Sequence, residues 1–294
     1  MELSGHLDTG HLDTKGVMTN SDSPDRARSA HSSDDETDGW SPEALGAFLF
    51  QRFGIEFVRR YNRLEVHADL GALTEPVLFV ANHGFGGIFD LNVFATGAAL
   101  EQLHLDRTVI ILTHQVAWTL GVGRILETLG ARPASRDAAH EAFTRGEHVL
   151  VFPGGDLDSA KSWADRNRVV FGGRTGFARL AVDEGVPIVP VVTAGAGESL
   201  FVFSSGERLA RAMRLDKLLR VKTAPISVSL PWGFNVGAVG LLPYLPLPTK
   251  LVTRVLPAMR PTEGETPSDF AARVQTAMQE ALTALTAHRV PLIG

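Results

Sequence analysis

The sequence predicts an α/β protein with a largely parallel central sheet flanked by helices and an amphipathic helix on its N-terminal side. Three observations predict it. Short apolar runs recur at residues 77–81 (VLFVA), 108–112 (TVIIL), 148–152 (HVLVF) and 187–192 (PIVPVV). Each is continuous rather than alternating, as in strands buried on both faces. Segments with helical periodicity and helix-type termini separate the runs, and that alternation is the signature of βαβ units. The composition, 44% hydrophobic and 21% charged, is that of an ordinary globular chain.

The elements follow in order. Residues 1–39 are rich in Ser, Asp, Thr and Gly and lack aromatics, which is the composition of a disordered tail. Within them the unit Gly-His-Leu-Asp-Thr at 5–9 is repeated at 10–14, a low-complexity feature with at most weak metal-binding character. A single domain is expected over residues 40–294. It opens at Trp40-Ser41-Pro42-Glu43, an N-cap with proline at the first helical position. The helix runs to about Tyr61 and gathers Leu45, Phe48, Leu49, Phe53, Phe57 and Val58 mostly on one face, with Arg52, Arg59 and Arg60 as a basic counterpart. Two readings are open for that face: packing on the core, or contact with anionic lipid headgroups. Further helices are expected over 90–103, 118–129 (stopped by Gly130), 137–144 and 174–184 (stopped by Gly185).

Bulk properties narrow the function classes. A net charge of -5 offers no basic stripe for nucleic acid. The absence of cysteine excludes disulfides, thiolate metal sites and a thiol nucleophile. The N-terminus has no basic start followed by an apolar run, so no signal peptide is read there. The most apolar stretch, 224–248, is interrupted by Pro225, Pro231, Pro243, Pro246 and Pro248, whose missing N–H groups unfit it to span a bilayer. A cytoplasmic protein peripherally associated with a membrane is expected, with Trp232, Phe234, Leu241, Leu242 and Tyr244 as an interfacial surface or a packed apolar loop.

In a parallel sheet, ligands bind beyond the carboxyl ends of the strands. After the first strand comes Asn82-His83-Gly84-Phe85-Gly86-Gly87-Ile88-Phe89-Asp90, and after the third Pro153-Gly154-Gly155-Asp156. A neutral histidine can accept a proton near pH 7. A carboxylate on its other ring nitrogen fixes the tautomer and stabilises the imidazolium as it forms. His83 and Asp90 are the candidate pair; the competing reading makes Asp90 the N-cap of the helix it begins. No Gly-x-Ser-x-Gly elbow occurs, so the substrate's own hydroxyl is the candidate nucleophile and transfer is direct.

These residues resemble motifs of the glycerolipid acyltransferase superfamily, typified by lysophosphatidic acid acyltransferases. Asn82-His83 matches the start of its Asn-His-x-x-x-x-Asp motif, although Asp90 follows His83 after six residues rather than four. The longer form is similar to diacylglycerol acyltransferase-like and phytyl-ester-synthase-like members. Gly130 and Arg136 match the second motif, where the family holds an acceptor headgroup or phosphate with a guanidinium. Phe152-Pro153-Gly154-Gly155 stands where phosphate-recognising members have Phe-Pro-Glu-Gly, and the glycine form is similar to neutral-lipid enzymes. Paired glycines let backbone approach a ligand and offer N–H donors to an oxyanion. Arg174-Thr175-Gly176-Phe177-Ala178-Arg179-Leu180-Ala181 and Val186-Pro187-Ile188-Val189-Pro190-Val191 resemble later family segments.

The resemblance implies an O-acyltransferase of glycerolipid or phospholipid metabolism, acting by general-base catalysis. His83 serves as base and Asp90 orients it, while Asn82, Arg136, Phe152, Pro153, Gly154, Gly155 and Arg174 form the substrate-binding set. The donor is acyl-CoA or acyl-carrier protein, the acceptor a lipid hydroxyl, and no metal or redox cofactor is required. Three alternatives stand beside it: a lysophospholipid acyltransferase, a non-catalytic lipid-binding protein of the same fold, and a metallophosphoesterase, which would need further Asp and His ligands at strand ends.

Overall fold

Helix α1 (Pro42–Arg60) starts at the expected proline, with Glu43 in its first turn and Arg59 and Arg60 in its last, where each sign suits the helix dipole. The computed structural model describes residues 41–68, 70–85, 89–113, 127, 130–215, 222–237 and 244–294. The N-terminal tail, nearly all of the helix expected over 118–129, and Gly86, Gly87, Leu241 and Leu242 lie outside the described residues. After α1 come β1 (Glu65–Ala68), β2 (Leu78–Ala81), α2 (Leu91–Gln102), β3 (Val109–Thr113), β4 (Ala131–Pro133), α3 (Arg136–Thr144) and β5 (His148–Val151). Then follow α4 (Gly155–Ser159), α5 (Gly176–Glu184), β6 (Ile188–Ala194), β7 (Phe201–Ser204) and α6 (Glu207–Ala212). The chain ends with β8 (Ile226–Ser229), β9 (Gly233–Val236), β10 (Val252–Val255) and α7 (Pro267–Thr286).

The main sheet has the order β1-β10-β6-β2-β5-β3-β4. From β6 to β4 every pairing is parallel; β10 is antiparallel to β6, and β1 is parallel to β10. The expected α/β fold with a largely parallel sheet is therefore borne out. The sequence reading did not identify β1, β4 or β10, because β4 is three residues long and β1 is half exposed at the sheet's edge. Such edge strands lack the continuous apolar run.

Strand β2 lies at the centre, and all four of its residues are buried, none more than 1% exposed. Leu78 and Val80 share one cluster with Ile188, Val192, Phe177 of α5 and Phe270, Val274, Met278 and Leu282 of α7. Phe79 and Ala81 point the other way and pack with Val189, Val191 and Ala99 of α2. Helix α1 then closes on α2 through Ile55 and Val58 against Phe94, Ala95 and Ala98. Gly54 makes that approach possible, since a Cβ there would lie 2.2 Å from the Phe94 ring. Of the apolar residues gathered on the expected face of α1, Val58 packs on the core, but Leu49 and Phe53 are 56% and 61% exposed. Burial follows the small-residue side of the helix because close helix contact needs it. A separate antiparallel sheet, β7-β8-β9, packs Val202 of β7 against Phe85 in the loop after β2.

Candidate active site

His83 leaves β2 between its two neighbours, β5 and β6, at the carboxyl edge of the sheet. Its Nδ1 lies 2.7 Å from Asp90 Oδ2. The stretched spacing thus closes, and the two side chains are 16% and 7% exposed. Asp90 is at the same time the N-cap of α2, its Oδ1 accepting from the N–H of Asn92 at 2.9 Å and of Val93 at 3.4 Å. The two readings of Asp90 are therefore not rivals: one oxygen holds the helix and the other holds the imidazole. With Nδ1 donating to a carboxylate, Nε2 carries the lone pair that can take a proton.

The backbone of His83 is clamped by residues that the sequence reading did not name. Its N–H donates to Asp158 Oδ2 at 2.6 Å, and its C=O accepts from Lys161 Nζ at 2.9 Å. The two side chains form an ion pair of 2.7 Å with 0% and 4% exposure. Val170 N–H donates at 3.0 Å to Asp158 Oδ1, the oxygen that also pairs with Lys161, and Lys161 reaches Arg168 C=O at 2.8 Å. Every polar atom of this buried pair has a partner, which a buried charge requires. The signal available in the sequence was an Asp and a Lys three residues apart directly after the glycine turn.

Phe152, at the end of β5, lays its ring on the His83 imidazole, with centroids 4.6 Å apart and planes inclined by 30°. Asn82 faces elsewhere: its amide donates to Thr193 C=O at 3.1 Å and accepts from Thr193 N–H at 2.8 Å, tying the end of β2 to β6. It is 3% exposed and, held to β6, frames His83. Gly84 is needed where the loop passes Ala196, for a Cβ would meet that side chain at 2.4 Å.

Gly154 serves the clamp as well, because a Cβ would lie 2.2 Å from Asp158 Cβ. Gly155, at φ +48°, sends its N–H to Phe152 C=O at 3.2 Å. Of the two glycine N–H groups, that leaves only Gly154's outside the hydrogen bonds of this turn. Arg174 is committed to the same turn: its guanidinium donates to the carbonyls of Pro153 and Gly154 and pairs with Asp156 at 2.7 Å. It shapes the turn whose glycines belong to the expected substrate-binding set. Arg136, the first residue of α3, is 64% exposed in its side chain and pairs with Asp183 of α5 at 3.3 Å; none of its contacts among the described residues reaches the His83 loop.

Tyr244 follows the packed-loop reading of its segment. It is 8% exposed and packs edge-on against Phe85 at 5.8 Å, under the site and not at an outer surface. Burial, with the charge of nearby Asp90, pushes its hydroxyl well above the ordinary tyrosine range. Among the described residues no three His, Asp or Glu side chains gather as a metal site, and no helix is long and apolar enough to cross a membrane.

The Acyltransferase family model matches residues 54–194, which run from α1 through His83, Asp90 and the glycine turn to the end of β6. The chain is 24% identical over 188 residues to the "DGAT1/2-independent enzyme synthesizing storage lipids" of Gallus gallus, covering 64% of this chain and 54% of that protein. The human protein of the same name is 30% identical over 172 residues, 58% and 51% of the two chains. An uncharacterized protein of Mycobacterium leprae is 29% identical over 217 residues, 72% and 54%. The chain thus spans about half the length of the curated relatives it matches. Among solved structures it is similar to the 1-acyl-sn-glycerophosphate (LPA) acyltransferase PlsC of Thermotoga maritima, with TM-score 0.47 and 15% identity over 85% and 86% of the chains. Over residues 54–194 and the motifs they contain, the chain is similar to the Acyltransferase family.

Proposed function

We propose that this protein transfers a fatty acyl group from a thioester, acyl-CoA or acyl-carrier protein, to the hydroxyl of a lipid at a membrane surface. The observation that carries the reading is the 2.7 Å contact of His83 Nδ1 with Asp90, on a backbone held at both N–H and C=O. His83 Nε2 takes the proton of the acceptor hydroxyl as its oxygen attacks the thioester carbonyl. Asp90 stabilises the imidazolium that forms. The tetrahedral oxyanion takes a hydrogen bond from Gly154 N–H. Collapse of the intermediate forms the ester and breaks the C–S bond, and the leaving thiolate recovers the proton from His83. The step needs no metal or redox group.

The acceptor is proposed to be a neutral lipid alcohol. The turn after β5 reads Pro153-Gly154-Gly155, without the carboxylate of phosphate-recognising members, and the chicken and human relatives are named for storage lipids. The test incubates the purified protein with a long-chain acyl-CoA and a mixture of lysophospholipids, mono- and diacylglycerol and fatty alcohols, with products identified by mass spectrometry. Acylation of the neutral acceptors, lowered about 100-fold or more by His83→Ala, is the expected result. Exclusive acylation of a lysophospholipid would reject the neutral acceptor. Full turnover by His83→Ala would reject the base, and lipid binding without turnover across a panel of donors would favour a binding protein.

A further inference from the structure

Strands β8 and β9 of the small sheet have their polarity inverted, and β7 carries apolar residues on both faces. On β8 the inward residues are Ser227 and Ser229, 0% and 3% exposed, while Val228 between them is 39% exposed. On β7, Phe201 and Phe203 are 39% and 56% exposed, and on β9 Phe234 and Val236 are 66% and 53% exposed. The inward Asn235 donates its amide to Ser229 Oγ at 3.1 Å. Register places Phe201 opposite Val228, Val228 opposite Phe234 and Ile226 opposite Val236, so the exposed apolar residues are cross-strand neighbours on one face. Trp163 stacks on Phe201 with centroids 4.9 Å apart, Phe201 meets Phe203 at 4.9 Å, and Phe203 meets Phe234 at 6.4 Å. Trp232, 49% exposed, extends the face at the β8–β9 turn.

A sheet with one face in water turns apolar residues inward and polar residues outward. The reverse alternation belongs to sheets whose outer face meets lipid. Beside this face, α6 exposes Arg208 and Arg211, which line a groove with Ser204 of β7 and Ile226 of β8. Among the described residues neither arginine forms an ion pair, and the adjacent Glu207 accepts from Ser205 at 3.3 Å. Exposed guanidinium groups next to an aromatic surface suit phosphate-bearing headgroups.

We propose that the outer face of β7-β8-β9 is the seat of this protein on an anionic bilayer, with the aromatic residues in the interfacial layer and Arg208 and Arg211 on headgroup phosphates. A second copy of the chain is a poorer occupant, since its rim carries the same positive charge. The inner side of the same sheet gives the seat its purpose. Leu200 and Val202 pack with Phe85 and Tyr244, and Phe85 is two residues beyond His83. The inner side of the sheet thus packs on the loop that carries the candidate base. The inference rests on the reading of a lipid acceptor, but binding is measured without turnover, so the two can fail separately.

The experiment is co-flotation of the full chain with vesicles of phosphatidylcholine containing phosphatidylglycerol, and with phosphatidylcholine alone. Folding of each variant is checked by circular dichroism and its mass by light scattering. Wild type should float with the anionic vesicles as a monomer. Phe203→Ser with Phe234→Ser should weaken partition by about tenfold per ring. Arg208→Ala with Arg211→Ala should remove the preference for phosphatidylglycerol while the fold is retained. The proposal is overturned if the folded Phe203→Ser/Phe234→Ser variant floats like wild type. It is equally overturned if Leu49→Ser/Phe53→Ser on α1 abolishes flotation while the sheet variant keeps it, or if wild type is a dimer that the sheet substitutions dissociate.

Discussion

Lys161→Met tests how the base is held. The substitution keeps an unbranched side chain of similar length and deletes three hydrogen bonds, to Asp158 Oδ1 at 2.7 Å, Arg168 C=O at 2.8 Å and His83 C=O at 2.9 Å. Asp158 then keeps a charge, at 0% exposure, on two backbone N–H donors alone. Removing one partner of a buried ion pair costs about 3–5 kcal/mol. That is a large part of the roughly 5–15 kcal/mol by which a domain is stable. The Asp158→Leu/Lys161→Met variant leaves no buried charge, so its loss should fall short of the summed single losses by about 1–3 kcal/mol. Urea unfolding followed by circular dichroism, with the slope checked for constancy, measures all three.

The same variants, assayed below their unfolding transitions, separate a clamp on His83 from a purely structural pair. Release of the His83 carbonyl lets the imidazole drift, and a misplacement of about 1 Å costs on the order of 100-fold in kcat. KM should change little, because nothing that touches substrate has been altered. A Lys161→Met protein within about 0.5 kcal/mol of wild type would refute the buried pair. One destabilised as expected but with wild-type kcat would refute its role in positioning the base.

Three further outcomes are expected. Asp90→Asn keeps an N-cap oxygen for Asn92 and Val93, so stability should change by less than about 1 kcal/mol, yet its amide cannot accept from Nδ1–H, and kcat should fall by about 100-fold or more; equal losses of stability and activity would contradict the division of labour between its two oxygens. Gly84→Ala drives a methyl to 2.4 Å from Ala196 and should cost about 1–3 kcal/mol in thermal or urea unfolding, whereas an unchanged midpoint would show that the loop passes Ala196 at a greater distance. His148 is buried, and burial, then the charge of Arg107, holds its pKa below the usual 6.5, with Nδ1 accepting from Val77 N–H at 3.1 Å. The unfolded chain takes up that proton first, so stability is full above about pH 6.5 and falls as pH drops toward the folded-state pKa. Urea midpoints measured against pH should show this slope in wild type and a smaller one in His148→Gln; identical slopes would remove His148 as the cause.

The sequence by itself determined the layers. Continuous apolar runs such as 77–81 identify strands buried on both faces, and the glycines at 130 and 185 mark where a helix must stop. It also set His83 at a strand end and Asp90 at a helix start, because both positions are local properties of the chain. The long helix α7 was legible too, in Thr266-Pro267 and in Phe270, Val274, Met278 and Leu282 at helical spacing, but the sequence reading passed over it.

Only the tertiary structure decided partnership. Whether Asp90 reaches His83 across six residues depends on how the loop closes, which spacing does not encode. Arg136 and Arg174 look alike in sequence as exposed guanidinium groups near strand ends, yet one pairs with Asp183 and the other holds the carbonyls of Pro153 and Gly154. Asp158 and Lys161 carry no mark in the sequence of the burial that the fold gives them against the His83 backbone. The small sheet shows the same limit, since an alternating strand tells which residues share a face but not which face meets the protein. Burial of Ser227 and Ser229, with Phe234 left outside, is a property of where the sheet packs.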